Sequence, residues 1–488
     1  MKLNIRSTPC VLACSCLLLG VFMVMAVPGL AADRPDRPEK IQFPDQPFHP
    51  PKPERIEMAN GLIVYLLPDR SIPLVRAMGL IHAGSLCEKP EESGLAGLTA
   101  SLLRLGGSTV TSATEMNRAL EFAGASLESA GSRDYASLSM RVLSQDLDLG
   151  IRLLSEILVS PAFPPDKIDQ RRAEALDTLR RQEDDPLEVT RREFRKLMYG
   201  EHPYGRDPLG DEQTLPKFTR EDLLQWHKRF IHPDRMILAL SGDFERQQIL
   251  ALLEKYLGGW PKGNVPVEYP EVKPSPAAGK SYFIRKDLNQ STIRLGHLGI
   301  ARNNPDKVTI EVLNFILGGG SFSSRLFNRV RSDSGYAYRV VSDFEESLLT
   351  GQFVVVLQTQ SANAVKAEKL TRDIVKEIAR ADDITQEELD LAKQSRMNDF
   401  VFEFETPSDT CNLSAQLEYF RVPQDYLEKY RERVAALTLE DLKKAAEKYL
   451  KPDQLTLLVL GNSDVEKELS SSGPLEMIET REKKAESK

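Results

Sequence analysis

Two stretches far apart in the chain share one order of apolar and polar positions. Residues 218–243 read FTREDLLQWHKRFIHPDRMILALSGD, and residues 437–462 read LTLEDLKKAAEKYLKPDQLTLLVLGN. In each, Thr and a following Glu-Asp pair open a segment whose apolar side chains recur at helical spacing. A Pro-Asp pair interrupts it, and an apolar run then ends at Gly. This order predicts, twice, a Thr-capped amphipathic helix, a turn and a buried strand. Thr219/Thr438, Asp222/Asp441, Pro233/Pro452 and Gly242/Gly461 all stand 219 residues apart. A period that long, seen twice, describes two domains of one fold and not a solenoid.

The remaining pattern fills in both halves. Strands are expected at residues 62–69, at Val75–Ile81 and over the alternating segment Asp134–Leu143. Helical spacing covers Gly94–Leu105, Glu115–Phe122, Pro165–Glu183 and Pro186–Leu197. Beyond a Pro-rich stretch, strands are expected at Lys280–Arg285 and Gln290–Ile300, and a helix at Pro305–Leu317. Adjacent strands lack regular crossover helices, so the fold class is α+β: two homologous domains, each a largely antiparallel sheet packed with helices. Two such domains facing each other predict a clamshell around a chamber. The first domain spans 59–260, a Pro-rich linker 261–278, and the second domain 279–475. Residues 32–58 read as an extended Pro-rich arm, and 476–488 as a charged tail.

Residues 1–31 read as a secretory signal peptide. Lys2 and Arg6 precede an apolar run from Val11 to Val27, and small residues follow at Gly29 and Ala31. Export places the chain in the periplasm. Cleavage removes two basic residues and takes the net charge from −8 to about −10. An acidic chain mildly favours basic peptides. No basic block is present, which argues against nucleic acid as a partner, and no later apolar run is long enough to span a membrane. Cys87 and Cys411 are the cysteines left after cleavage, one in each half, and read as unrelated free thiols.

Histidine is scarce. No His-Glu-x-x-His or His-x-x-Glu-His occurs, and His227 and His232 are five apart, off a common helical face. His232 opens a Pro-Asp turn and His202 sits in a Pro/Gly-rich loop, so both read as structural. Gly-x-Ser-x-Gly is absent. Gly318-Gly319-Gly320 follows a predicted helix, whereas a nucleotide loop should open one.

After residue 58 the chain resembles the pitrilysin-like, inverted-zincin (M16) peptidases, in particular the small two-domain type related to mitochondrial processing peptidase subunits. The resemblance rests on SGLAGLTASLLRLG, Ser93–Gly106, whose flanks match a family helix carrying His-x-x-Glu-His. Gly97, Ala100 and Ser101 stand where His, Glu and His belong. The third zinc ligand, a Glu, corresponds to Thr178, with Asp177 one position off the required face. The acid that supports the ligands corresponds to Arg171. Zinc needs about three protein donors and a carboxylate to activate its water, and these side chains cannot supply them.

GGGSFSSRLFNRVRSDSGYAYRV, Gly318–Val340, keeps the family's Arg-x6-Tyr spacing as Arg331 and Tyr338. The resemblance implies that this pair acts in trans on a partner's zinc site, the arginine on substrate main chain and the tyrosine on the scissile carbonyl. It implies a non-catalytic, substrate-binding subunit with no cofactor of its own. Zn2+ is expected in a zinc-bearing M16 subunit encoded by the neighbouring gene, and unfolded or short peptides are the expected substrates. The alternative is an inactive scaffold or peptide-binding protein, a homodimeric one included.

Overall fold

A computed structural model describes residues 50–263 and 266–479. The predicted signal peptide and the arm up to residue 49 lie outside the described residues, as do 480–488 of the tail.

Each half of the chain is built on one six-stranded sheet. The first contains β1 (Glu54–Glu57), β2 (Ile63–Pro68), β3 (Leu74–Ile81), β4 (Ser126–Gly131), β5 (Ala136–Leu143) and β6 (Met236–Gly242). Their order is β1-β2-β6-β3-β5-β4. Only β2 and β6 run parallel; the other neighbours are antiparallel. The second contains β7 (Ser281–Arg285), β8 (Gln290–Leu298), β9 (Arg339–Glu345), β10 (Gln352–Gln360), β11 (Thr456–Gly461) and β12 (Glu476–Met477), in the order β12-β7-β11-β8-β10-β9. Thus β1 takes the last residues of the Pro-rich arm, and β12 the first of the tail.

Seven of the fourteen helices among the described residues fall on segments where the sequence pattern expected one. In the first half they are α1 (Leu95–Leu105), α2 (Ala113–Phe122), α3 (Leu147–Val159), α4 (Pro165–Arg181), α5 (Pro186–Tyr199), α6 (Arg220–Phe230) and α7 (Arg246–Leu257). In the second they are α8 (Lys307–Asn314), α9 (Ala364–Arg380), α10 (Gln386–Phe400), α11 (Pro407–Tyr419), α12 (Tyr426–Ala436), α13 (Leu439–Tyr449) and α14 (Ser463–Ser472).

The repeated motif has a physical basis at each shared residue. Thr219 and Thr438 accept the amide N–H of Asp222 and Asp441, and each Asp carboxylate accepts the cap's own N–H. Such a reciprocal cap stabilises a helix start by about 1 kcal/mol. Gly242 sits at φ +126°, and a Cβ there would lie 2.0 Å from the carbonyl oxygen of Leu74. Only glycine lets β6 turn away from β3 at that point.

The two halves exchange a helix. α11 of the second half lies across β2, β6 and β3, with Cys411 Sγ 3.5 Å from the carbonyl oxygens of Tyr65 and Leu240. α5 of the first half lies against β8 and β11, where Arg294 Nε donates to Thr190 Oγ1 at 3.2 Å. These helices hold equivalent places in the repeat, so each sheet is covered in part by its counterpart's helix. The seam also holds a buried polar knot. Tyr204 Oη donates to Asp134 Oδ1, Leu348 N–H donates to Asp134 Oδ2 at 3.2 Å, and Leu349 N–H donates to Tyr204 Oη at 3.1 Å. Tyr419 Oη, from α11, donates to the carbonyl oxygen of Asp134 at 2.7 Å. The expected clamshell of two α+β halves is therefore closed by polar bonds as well as by apolar packing. Cys87 and Cys411 are both free thiols.

Candidate functional site

The positions where the resemblance places zinc ligands lie on α1 and α4, which pack against each other. Leu95, Leu98 and Leu102 hold α1 in the core of the first half. The helix is intact while its donors are gone. Ala100 is itself a core residue. Ser101 Oγ donates to the carbonyl oxygen of Leu98 at 3.0 Å and accepts from Arg171 Nε at 3.2 Å. Thr178 Oγ1 donates back to the carbonyl oxygen of Glu174 at 2.9 Å, and Asp177 is ion-paired with Arg181 at 2.9 Å. Neither Thr178 nor Asp177 lines the cavity beside α1; from α4 that cavity takes Arg171 and Ala175.

Position 97 has also closed. A Cβ on Gly97 would stand 2.6 Å from the carbonyl oxygen of Pro208. From the other side, a Cβ on Gly131 would stand 2.7 Å from Gly97 Cα. Backbone occupies the space a ligand side chain would need. Among the described residues no group of three or more His, Cys, Asp or Glu could hold a metal ion. The residues present do not fit zinc.

What remains is a cavity of about 420 Å³. Edge strand β4 and the turn after it supply Ser129, Gly131, Ser132 and Arg133; α4 and α5 supply Arg171 and Arg191; Asp207 comes from the loop beyond α5. β4 has one sheet neighbour, β5. Three guanidinium groups therefore face one carboxylate. Arg191 is partly neutralised by Glu188 and Arg171 by Glu174. Arg133 has no hydrogen bond or ion pair from its side chain among the described residues, and its Nε is buried. Burial, then the nearby Arg195 and Arg191, pull its pKa down to about 10, so it stays charged at neutral pH. Overall negative charge suggested a preference for basic peptides; the local arrangement has the opposite sign. The sequence signal for this was Arg171 in an acid's place, while Arg133 and Arg191 carried no motif and were missed.

Arg331 and Tyr338 are in the second half, outside that cavity. Arg331 lies in a π-helical segment, Phe327–Asp333, and its guanidinium sits 4.6 Å over the Phe327 ring. Tyr338 leads into edge strand β9, is 45 % exposed, and donates from Oη to Gln290 Oε1 at 2.9 Å. A second π-helical segment, Phe315–Gly319, runs into the triple glycine. There Gly318 is pinned, since a Cβ would lie 2.7 Å from the Ser342 amide. Segments of this kind concentrate at functional sites. Gly318 thus serves close packing against β9, while Gly319 and Gly320 lie against Asn314 and Phe315. His202 and His232 bond to backbone, His202 Nδ1 accepting from the Tyr204 amide and His232 Nε2 lying 2.8 Å from the Lys228 carbonyl. His49 lies outside the described residues.

Fold and erased site together define a zinc-less member of a zinc-peptidase class, and the comparisons agree. Residues 69–212 match the insulinase (peptidase family M16) domain, and residues 217–396 the peptidase M16 inactive domain. The chain belongs to the M16 family. A solved peptidase M16 inactive domain from Pseudomonas fluorescens superposes with TM-score 0.77 at 26 % identity, over 84 % of this chain and 98 % of that one. A non-peptidase homologue from Helicobacter pylori is 26 % identical over 80 % of this chain and 90 % of its own. An uncharacterised zinc protease from Mycobacterium bovis is 25 % identical over 81 % and 90 %. The zinc-binding and general-base positions of the family's site are replaced in this chain, and residues 217–396 match the family's inactive domain. No helix among the described residues is long and apolar enough to cross a membrane.

Proposed function

We propose that this chain is a zinc-less M16 subunit that binds extended peptides and does not cut them by itself. The observation that carries this reading is an open cavity beside edge strand β4, bordered by the erased positions Gly97 and Ser101. A peptide added to β4 as a further strand is read through its main chain, which admits only unfolded or short chains.

The finer part of the proposal is that the subunit pairs in the periplasm with a zinc-bearing chain of the same family, encoded by the neighbouring gene. Arg331 would hold substrate main chain at that partner's site, and Tyr338 would donate a hydrogen bond toward developing oxyanion charge. Their exposure on the second half, away from this chain's own cavity, supports that role. A peptide-binding scaffold without such a partner, monomeric or homodimeric, is the second reading. It is supported by the Tyr338–Gln290 bond, which satisfies the tyrosine within the chain.

The test is the mass, zinc content and turnover of the complex purified from its native cell. A heterodimer with one zinc, slowed about a hundredfold by Tyr338→Phe, supports the finer part. A zinc-free monomer or homodimer that still captures peptides leaves the scaffold. Chelator-sensitive cleavage by the lone chain would sink both.

A further inference from the structure

The arginines at the erased site form a feature that loss of zinc does not require. Removing a metal site needs only the loss of its donors. This chain has in addition placed Arg171 where a supporting acid is expected and set it beside Arg133 and Arg191 in one cavity. Gathering like charges in a partly enclosed space is unfavourable unless something of opposite sign is held there. Asp207 is the one acidic group lining the cavity. Glu188 and Glu174 face Arg191 and Arg171 from their own helices, and Glu345 of β9 is taken by Arg195. Arg133 is left over, its Nε buried and unbonded.

We infer that this cavity is a carboxylate-binding pocket, in which Arg133, Arg171 and Arg191 receive the anionic end of a peptide lying along β4. This rests on the peptide-binding reading and names its ligand. Ser129, Ala130, Gly131 and Ser132 line the same space as the guanidinium groups. A peptide strand paired to β4 therefore delivers whatever ends it, or projects from its last residue, to Arg133. Guanidinium suits the task because its planar donors match a carboxylate in two-point geometry and it is always charged. Where the family fold places a metal cation against a substrate oxygen, this chain presents a fixed organic cation. Such a cation binds a carboxylate and activates no water. The anionic group is either the terminal carboxylate or an acidic side chain near the terminus; the pocket chemistry is the same for both.

Calorimetric titration of the purified chain with unstructured peptides of one sequence tests this. Three versions are compared: a free C-terminal carboxylate, a C-terminal amide, and an amide with Glu as the last residue. The free-acid peptide is expected to bind about tenfold or more tightly than the amide, as the loss of a charge-assisted hydrogen bond implies. The Glu-amide peptide separates the sources: recovery of tight binding assigns the pocket to a side chain, and failure to recover assigns it to the chain terminus. Arg133→Gln should weaken the free-acid peptide far more than the amide, so that the free-acid advantage is lost. Equal binding of acid and amide by the unaltered chain overturns the carboxylate pocket while peptide binding stands, and needs no variant to fold. Equal weakening of acid and amide by Arg133→Gln also overturns it. If no version binds, both the pocket and the peptide-binding reading fall.

Discussion

Arg171 donates from Nε to Ser101 Oγ at 3.2 Å. One residue stands where the family resemblance places a zinc-binding histidine, the other where it places a supporting acid. The contact inverts the electrostatics of the position. A site that should present lone pairs to a cation presents N–H groups to an acceptor. Substitution has therefore given this space a new polarity, beyond deleting the old one.

Restoring the motif on α1 should consequently fail to restore the metal. In Gly97→His/Ala100→Glu/Ser101→His, the new Cβ at 97 meets the Pro208 carbonyl at 2.6 Å, and the glutamate enters the core. Overpacking of this kind costs about 1–3 kcal/mol, and burying a carboxylate adds to it. The expected outcome is substoichiometric zinc by elemental analysis together with a lowered denaturation midpoint. One zinc per chain at unchanged stability would refute the closed position.

How much of this was legible in the sequence depended on range. The Thr caps, Pro-Asp turns and terminal glycines are local devices, so the repeat announced two like domains and placed α6, α13, β6 and β11. The apolar spacing of residues 186–197 announced a helix with a buried face. It could not say that α5 packs on the second sheet, because periodicity reports that a face is covered and not by what. Arg133 illustrates the same limit. It follows β4 with no motif around it, and meets Arg191 and Arg171 only once the chain folds. Position 97 read as a lost ligand; its closure by Pro208 and Gly131 is a tertiary fact.

Tyr338→Phe and Arg331→Ala should leave the isolated chain almost as stable as before. Tyr338 is half exposed and bonds to an exposed glutamine, and a hydrogen bond of that kind contributes roughly 1 kcal/mol or less. Arg331 packs over Phe327 at the surface, worth about 0.5–1 kcal/mol. Urea denaturation checks this. A loss well above those figures would assign the pair a structural role and weaken the case that it serves a partner.

Acid should destabilise the protein before its carboxylates protonate in bulk. Burial lowers His82 from 6.5 to about 4, with nearby Arg421 and Arg235 adding to the effect, and burial lowers His297 to about 4. His297 Nε2 accepts the Lys451 amide, which requires a neutral ring. Both groups are harder to protonate folded than unfolded. Their contribution is thus present above about pH 6.5 and is lost as pH falls toward 4, at most about 3 kcal/mol each. Midpoints measured across that window should fall, and His82→Phe, which keeps the stack on Tyr419, should flatten the slope by about one proton. A flat profile in the unaltered chain would show that these rings reach solvent.

The seam between halves offers a matched contrast to Tyr338. Tyr204→Phe makes the same chemical change, deletion of one hydroxyl, in a fully buried setting. That hydroxyl donates to Asp134 and accepts the Leu349 amide from the turn between β9 and β10. Its removal strands the Leu349 N–H, which has no other partner among the described residues, and takes one of two donors from the Asp134 carboxylate, which keeps the Leu348 N–H and whose pKa burial already raises. An unsatisfied buried group costs about 1–3 kcal/mol, and the carboxylate loses one donor bond worth roughly 1 kcal/mol besides, so a loss of roughly 2–4 kcal/mol is expected, against near neutrality for Tyr338→Phe. Because the bonds cross between halves, the variant should also open the clamshell more readily. Amide hydrogen exchange at Leu348 and Leu349 should accelerate more than exchange within either sheet. Equal protection in the variant and the unaltered chain would mean that helix exchange alone, α5 on one sheet and α11 on the other, holds the halves together.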